Sequence, residues 1–265
     1  MYPIGIHFLI SEGIAGGLLL WIVNKGWVSQ SRIAGLALEI LAITNLLILV
    51  PGIYLYRKDC VRRENSSQIL YGDIRKGQKV NRKWEERTLS LIEILWLLIT
   101  GGGLALLGNI LISILNILFL QNTTYSDMME SMTSGKSLWI LIFSMGIIAP
   151  ITEEVIFRWL VYRRMREYSS TFWAIVISSV LFGAYHGNLL QFLYATLLGI
   201  MFALLYEKTQ SKLCPILLHI GANTTSIVIN QAANKIAEQP QQADILMIGM
   251  IAMSVMGCLW FMRSK

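Results

Sequence analysis

Long apolar runs recur along the whole chain and restrict it to a membrane fold. Eight runs are long enough to cross, or nearly cross, the roughly 30 Å of hydrocarbon in a bilayer. They cover about residues 4–23, 33–56, 89–120, 138–162, 171–187, 189–206, 212–230 and 243–262. Only 14% of the residues are charged, against about a quarter in soluble domains. The sequence therefore predicts an all-α fold, a polytopic integral membrane helical bundle of about eight transmembrane helices.

The basic residues are unevenly distributed, and this predicts an orientation. Between Arg57 and Arg87 there are 10 Lys and Arg against 5 Asp and Glu, and Arg163, Arg164 and Arg166 follow the fourth run. The alternate loops, 121–136 and 231–242, carry few charges of mixed sign. Because cytoplasmic loops are enriched in Lys and Arg, we expect a multi-pass protein of the cell membrane with both termini in the cytoplasm. The net charge of +6 is then explained without nucleic acid as a partner.

The polar segments divide the chain into five predicted parts. Residues 1–56 hold two N-terminal transmembrane helices, and we expect the first to be a retained helix rather than a signal peptide. Residues 57–88 form a basic cytoplasmic loop, and residues 89–137 contain the third span and an outer loop. Residues 138–230 form a four-helix core, and residues 231–265 contain an outer loop and the C-terminal span. The polar residues that suit chemistry are concentrated in the core.

Residues 152–158 place two carboxylates and an arginine inside an apolar run. An ionised residue at the centre of a span costs roughly 2.5–3.5 kcal/mol on insertion scales, so intramembrane charges usually serve a function. Glu154 and Arg158 are four residues apart and can pair on one helix face, which would be a purely structural role. Glu153 is rotated by about 100° from Glu154 around the helix axis, so its side chain faces a different part of the protein.

Histidine is scarce, and two of its three occurrences fall in the predicted four-helix core. His186 ends the sequence Phe182-Gly-Ala-Tyr-His186, and His219 lies four residues before Asn223. Residues four apart share a helix face, so His219 and Asn223 point the same way. Interhelical hydrogen bonding and turn capping are the structural alternatives for these residues.

A carboxylate, two imidazoles and a carboxamide in a partly wet, low-dielectric cavity suit hydrolysis. The carboxylate can act as general base on a water, and an amide or imidazole N–H can stabilise an oxyanion. The HExxH and HxxEH spacings of zinc proteases are absent,. Two Glu and two His on three helices still leave a divalent metal such as zinc as an alternative.

Three motifs in this order resemble those of the CPBP (Abi) family, which comprises CAAX prenyl proteases and bacteriocin-processing or self-immunity proteins. They are Glu153-Glu154-x-x-x-Arg158, Phe182-x-x-x-His186 and His219-x-x-x-Asn223, and the resemblance covers about residues 138–230. It implies catalytic roles for Glu153, Glu154, His186, His219 and Asn223, with Arg158 and Phe182 supporting and no cofactor. Glu153 would activate water together with His186, while His219 and Asn223 line the oxyanion site.

The resemblance implies an intramembrane glutamate-type endopeptidase that acts on a membrane-associated or prenylated peptide. The alternative is a non-catalytic self-immunity or regulatory protein that binds a peptide partner without turnover. A transporter with a proton relay is a third reading, but the inverted repeats that it predicts are not visible. The expected partners are the bilayer and a lipidated or membrane-associated peptide.

Overall fold

The computed structural model describes residues 16–27, 36–73, 88–115, 133–232 and 240–263, together with residues 5, 10, 29, 117, 130, 236 and 238. All of the regular structure in these residues is helical. The helices are α1 (Gly17–Asn24), α2 (Ala37–Asp73), α3 (Leu91–Leu115), α4 (Leu138–Tyr168), α5 (Thr171–Tyr185), α6 (Leu189–Thr209), α7 (Leu213–Gln231) and α8 (Pro240–Arg263). The predicted all-α bundle is thereby confirmed.

Six of these helices are long and apolar enough to cross a membrane, namely α2, α3, α4, α6, α7 and α8. Helix α5 is equally apolar but has 15 residues, about 22 Å at 1.5 Å per residue. The predicted span 4–23 lies largely outside the described residues. Because these helices share one bundle, the chain is a multi-pass membrane protein.

Helix α2 is longer than the apolar run that predicted it. It begins at Ala37 and continues to Asp73, so the first half of the predicted loop 57–88 is helical. Residues 74–87 of the predicted loop lie outside the described residues. The charged residues after 56 allow this extension because a helix needs an apolar face only where it packs or crosses lipid.

The basic end of the bundle is tied together by ion pairs between α2, α4 and α6. Arg164 contacts Asp59 at 2.6 Å, and Arg62 contacts Glu167 at 2.9 Å. On α6, Glu207 accepts a hydrogen bond from the Tyr162 hydroxyl at 2.7 Å. These contacts all lie at the same end of the helices. The basic residues that follow the second and fourth predicted spans therefore form one face of the molecule, the basic face.

Two carboxylates of the early spans have structural partners. Glu39 pairs with Lys136 at 3.3 Å, at the end of the bundle opposite the basic face. Glu93 forms a capping box with Ser90, whose backbone N–H donates to the Glu93 carboxylate at 2.9 Å at the start of α3,. Both carboxylates therefore take part in structural contacts.

Helix α4 is irregular where it carries the site. It alternates between α-helical turns and two π-helical stretches, Ile142–Ile148 and Val155–Tyr162. Glu153 and Glu154 are the last residues of the α-helical segment between these stretches. π-helical turns shift the side chains that follow and are frequent at functional sites. The irregularity therefore marks this part of α4 as a candidate functional position.

Helix α7 packs closely on α3 because glycines meet backbone at the crossing. A methyl group at Gly101 would overlap the Leu218 carbonyl, and one at Gly221 would overlap the Leu98 carbonyl. Small residues let membrane helices approach this closely. The contact fixes the depth and rotation of α7, and with them the positions of His219 and Asn223.

Candidate active site

A cavity of about 200 Å³ lies between helices α2 to α7, and five of the seven predicted site residues line it: Glu153, Phe182, His186, His219 and Asn223. The other two, Glu154 and Arg158, are fully buried behind it. The structure therefore brings together three motifs that are separated by up to 70 residues in sequence.

Glu154 links the arginine and the histidine of the site. Its Oε1 lies 3.1 Å from Nη1 of Arg158 and 3.0 Å from Nδ1 of His219. Since a carboxylate can only accept, Nδ1 of His219 carries the proton, and its Nε2 faces the cavity. The pair expected from the four-residue spacing is present, and Glu154 also orients His219.

Arg158 is held by more than this ion pair. Its Nη2 donates to the carbonyl of Gly199 on α6 at 3.0 Å. Its guanidinium lies over the rings of Phe182 and Phe202, at 4.6 and 5.1 Å from their centroids, a geometry of favourable cation–π contacts. These contacts join α4 to α5 and α6 and fix the helix face from which Glu153 projects.

Aromatic rings also hold the imidazole of His219. The Phe202 ring stacks on it at 4.6 Å between centroids, and Phe182 meets it edge-on at 5.7 Å. Phe202 has no part in the motifs, and an apolar residue in an apolar run gives no sequence signal for such a contact.

Glu153 has no arginine or lysine partner among the described residues that line the cavity. Its Oε2 lies 3.6 Å from Nε2 of His219, which is too long for a direct hydrogen bond. A water placed against both atoms could bond to each. With both carboxylates ionised, Glu153, Glu154 and Arg158 together carry one net negative charge, which is costly to bury.

Asn223 is oriented by a carbonyl that α4 leaves unpaired. At the end of the first π-helical stretch the N–H of Ala149 donates to the carbonyl of Ser144, five residues earlier. In the same pattern the Met145 carbonyl would accept from the N–H of residue 150, but this residue is Pro150 and has no N–H. Nδ2 of Asn223 donates to this Met145 carbonyl at 3.0 Å. The other amide N–H and the amide oxygen of Asn223 remain for the cavity.

His186 both ends α5 and lines the cavity. Its Nδ1 lies 2.9 Å from the carbonyl of Phe182, so Nδ1 donates and Nε2 is left as the reactive nitrogen. The turn that follows has Gly187 at a φ of 67°, and the side chain of Asn188 caps α6. His186 and Glu153 line one cavity although the turn at Gly187 is exposed, and α5 has only 15 residues.

The described site residues are not arranged as a set of metal ligands. No group of three His, Cys, Asp or Glu side chains in the described part of the chain is arranged to hold one. Glu154, a natural candidate ligand, already shares its Oε1 with Arg158 and His219.

Comparisons with known proteins match the part of the chain that carries this site. The family model described as Type II CAAX prenyl endopeptidase Rce1-like matches residues 135–225. A curated relative, "Putative membrane peptidase YdiL" of Bacillus subtilis (strain 168), is 33% identical over 113 residues, 42% of this chain and 46% of the relative. The chain thus spans about half the length of the curated relative it matches. No solved structure matches the chain. Residues 135–225, which contain all three sequence motifs, are thus similar to CAAX-type membrane proteases.

Proposed function

We propose that this protein is an intramembrane endopeptidase in which Glu153 activates water to hydrolyse a peptide bond. The observation that carries the proposal is the pairing of Glu153 with Nε2 of His219 across 3.6 Å at the wall of a cavity. The family match and the resemblance to a membrane peptidase support it. A purely structural ion pair would explain Glu154 and Arg158, but it leaves the Glu153 carboxylate without a role.

The reaction uses the geometry as follows. Glu153 removes a proton from a water that also donates to Nε2 of His186, and the water oxygen attacks the peptide carbonyl carbon. The developing oxyanion accepts hydrogen bonds from Nε2–H of protonated His219 and from the free amide N–H of Asn223. The C–N bond then breaks, and the proton held by Glu153 passes to the leaving amine. Glu154 and Arg158 touch no reacting atom and act as positioning residues.

The location of the cavity inside the bundle supports a substrate that is held at the membrane. We propose a peptide tethered to the membrane, by lipidation or by an apolar segment, because such a chain can reach a site at this depth. No cofactor is proposed.

The decisive experiment is cleavage of a membrane-anchored peptide library by the purified protein in liposomes. Glu153→Gln keeps the size of the side chain and removes the base, so we expect cleavage to fall at least a hundredfold. Glu39→Gln is the matched control, because it removes a carboxylate that pairs with Lys136 outside the cavity, and it should cleave like wild type. A chelator should leave the rate unchanged.

Three results would count against the proposal. Equal cleavage by wild type and Glu153→Gln would exclude Glu153 as the base. No cleavage by folded wild-type protein would favour the alternative, a membrane protein that binds a peptide partner without turnover. Loss of activity on chelation would instead overturn the metal-free chemistry.

A further inference from the structure

A second cavity lies between α3, α6, α7 and α8, and the proposed reaction does not use it. Its volume is about 210 Å³, close to that of the candidate active site, and no described residue lines both cavities. The wall is mostly apolar and includes the side chains of Met201, Leu204, Leu205, Leu218 and Phe261. Such a wall favours a hydrocarbon occupant, whose atoms gain van der Waals contacts that an empty space lacks.

This cavity occupies the half of the bundle next to the basic face. Lys208, near the C-terminal end of α6, lies at its edge, and Thr100 of α3 lines it further inside. From the start of α3 at Leu91 to Thr100 the helix rises about 14 Å at 1.5 Å per residue. This is roughly half of the 30 Å of hydrocarbon in a bilayer. The cavity therefore extends through the depth of one leaflet, the leaflet that borders the basic face.

The cavity opens towards the outside of the bundle, where lipid surrounds the protein. Leu204 in its wall is 42% exposed, and Cys258 is half-buried. Helix α8 forms one side of the cavity, and only 17% of the apolar stretch of this helix is buried. An acyl chain can thus enter the cavity directly from the bilayer.

One cation lies at the edge of this cavity, without a carboxylate to neutralise it. Lys208 is exposed, and no Asp or Glu is among the described lining residues. The neighbouring Glu207 contacts Arg166 at 3.4 Å and the Tyr162 hydroxyl at 2.7 Å, whereas no ion pair of Lys208 occurs in the described part of the chain. A lysine at a helix end can simply extend its ammonium group to the membrane interface, but that role does not require an apolar cavity beside it.

We propose that this cavity binds one anionic phospholipid of the leaflet that borders the basic face. One acyl chain packs against the apolar wall, and the phosphate pairs with the ammonium group of Lys208, as basic pockets between membrane helices bind anionic headgroups. A phospholipid fits better than a peptide, because Thr100 and Cys258 are the other polar side chains among the described lining residues. A peptide backbone buried there would leave polar groups unpaired, which is costly. The acyl chain also contacts Leu218, the residue before His219, so the lipid supports the helix that carries this histidine.

Native mass spectrometry of the purified full chain in detergent micelles measures the binding. Phosphatidylglycerol is the anionic probe, and phosphatidylcholine with the same acyl chains is the neutral one. We expect one bound phosphatidylglycerol, with a Kd at least fivefold below that of phosphatidylcholine. Lys208→Gln should remove this preference, because it removes the cation at the headgroup. Lys58→Gln, at an exposed lysine of α2 on the same basic face, is the matched control and should keep the preference.

The apolar wall is tested by a variant that fills it. Leu204→Trp places a larger side chain in the cavity and should weaken the binding of both lipids at least fivefold. Leu197→Trp makes the same change about two turns earlier on α6. Since Leu197 is exposed and lines neither cavity, this control should bind both lipids like wild type.

The thiol of Cys258 reports whether the lipid occupies this cavity. Labelling of Cys258 by N-ethylmaleimide, followed by mass spectrometry, should slow at least fivefold when phosphatidylglycerol is added. Cys60, which lines neither cavity, is the internal control and should be labelled at an unchanged rate.

Three results would overturn this proposal. The first is an equal affinity of wild type and Lys208→Gln for phosphatidylglycerol, and the second is labelling of Cys258 that the lipid does not slow. The third is displacement of phosphatidylglycerol by a peptide that is N-acylated with the same fatty acid, because the cavity would then hold the anchor of a substrate. None of these measurements uses cleavage, so the lipid site and the proposed proteolysis succeed or fail independently.

Discussion

At the scale of single residues, the site is a buried charge network with one accessible carboxylate. Arg158 reaches Glu154, the Gly199 carbonyl and two aromatic rings while fully buried. Only a planar guanidinium can make these contacts together. The network holds His219, and His219 in turn faces Glu153.

Removing the arginine should be worse than removing the whole ion pair. Arg158→Met leaves Glu154 as an uncompensated buried charge, and we expect the free energy of unfolding to fall by about 3–5 kcal/mol. Adding Glu154→Gln removes that charge and should recover more than half of the loss. Unfolding of both variants in detergent micelles measures this. Equal instability of the single and double variants would show that the packing of Arg158, not charge balance, dominates.

Asn223 offers a second test, of the contact with the Met145 carbonyl. In Asn223→Asp a carboxylate faces that carbonyl without a donor, so we expect a loss of about 1–3 kcal/mol in the free energy of unfolding and a marked loss of cleavage. Asn230→Asp makes the same change at an exposed position of the same helix. Thermal unfolding that is equal for the two variants would mean that the hydrogen bond to Met145 contributes nothing.

At the scale of helices, the lengths of the apolar runs predicted the bundle, and the motif spacing predicted part of the contacts in the candidate site. The four-residue spacings placed Glu154 with Arg158 correctly because both lie on one helix. Spacing could not predict that Pro150 leaves the Met145 carbonyl free for Asn223, since this depends on π-helical turns in α4. Nor could it find Phe202, whose contact with His219 depends on how α6 packs against α7. The extension of α2 to Asp73 was missed because a polar sequence carries no apolar period.

The crossing of α3 and α7 is where a small change in an element should disturb the chemistry. A methyl group in Gly101→Ala would overlap the Leu218 carbonyl and push α7 away, at a cost of about 1–3 kcal/mol. Because α7 carries His219 and Asn223, we expect peptide cleavage to fall more than tenfold.

Gly108→Ala is the control on the same helix. A methyl group there meets nothing within 4 Å, and alanine favours helix by up to about 1 kcal/mol. Stability and cleavage should therefore be retained or improved. Cleavage rates in liposomes and unfolding in micelles compare the two variants, and equal behaviour would mean that the helix crossing does not set the site geometry.

At the scale of the whole molecule, the cavity lies in the half of the bundle away from the basic face. On α3 its lining residues are Ala105 and Asn109, near the end of the helix, whereas on α6 they begin at Gln191, near the start. The ion pairs of Asp59, Glu167 and Glu207 lie at the opposite ends of their helices. If the basic face is cytoplasmic, as the distribution of Lys and Arg predicts, a substrate enters from the outer side.

Accessibility of single cysteines tests this orientation. In a chain whose three cysteines, Cys60, Cys214 and Cys258, are replaced by serine, Ser134→Cys reports the end near the cavity opening and Lys208→Cys reports the basic end. Both positions are exposed. We expect a membrane-impermeant maleimide to label Ser134→Cys in intact cells, and to label Lys208→Cys only after permeabilisation. The reverse pattern would place the cavity opening on the cytoplasmic side, and the peptide would then have to arrive before export rather than after it.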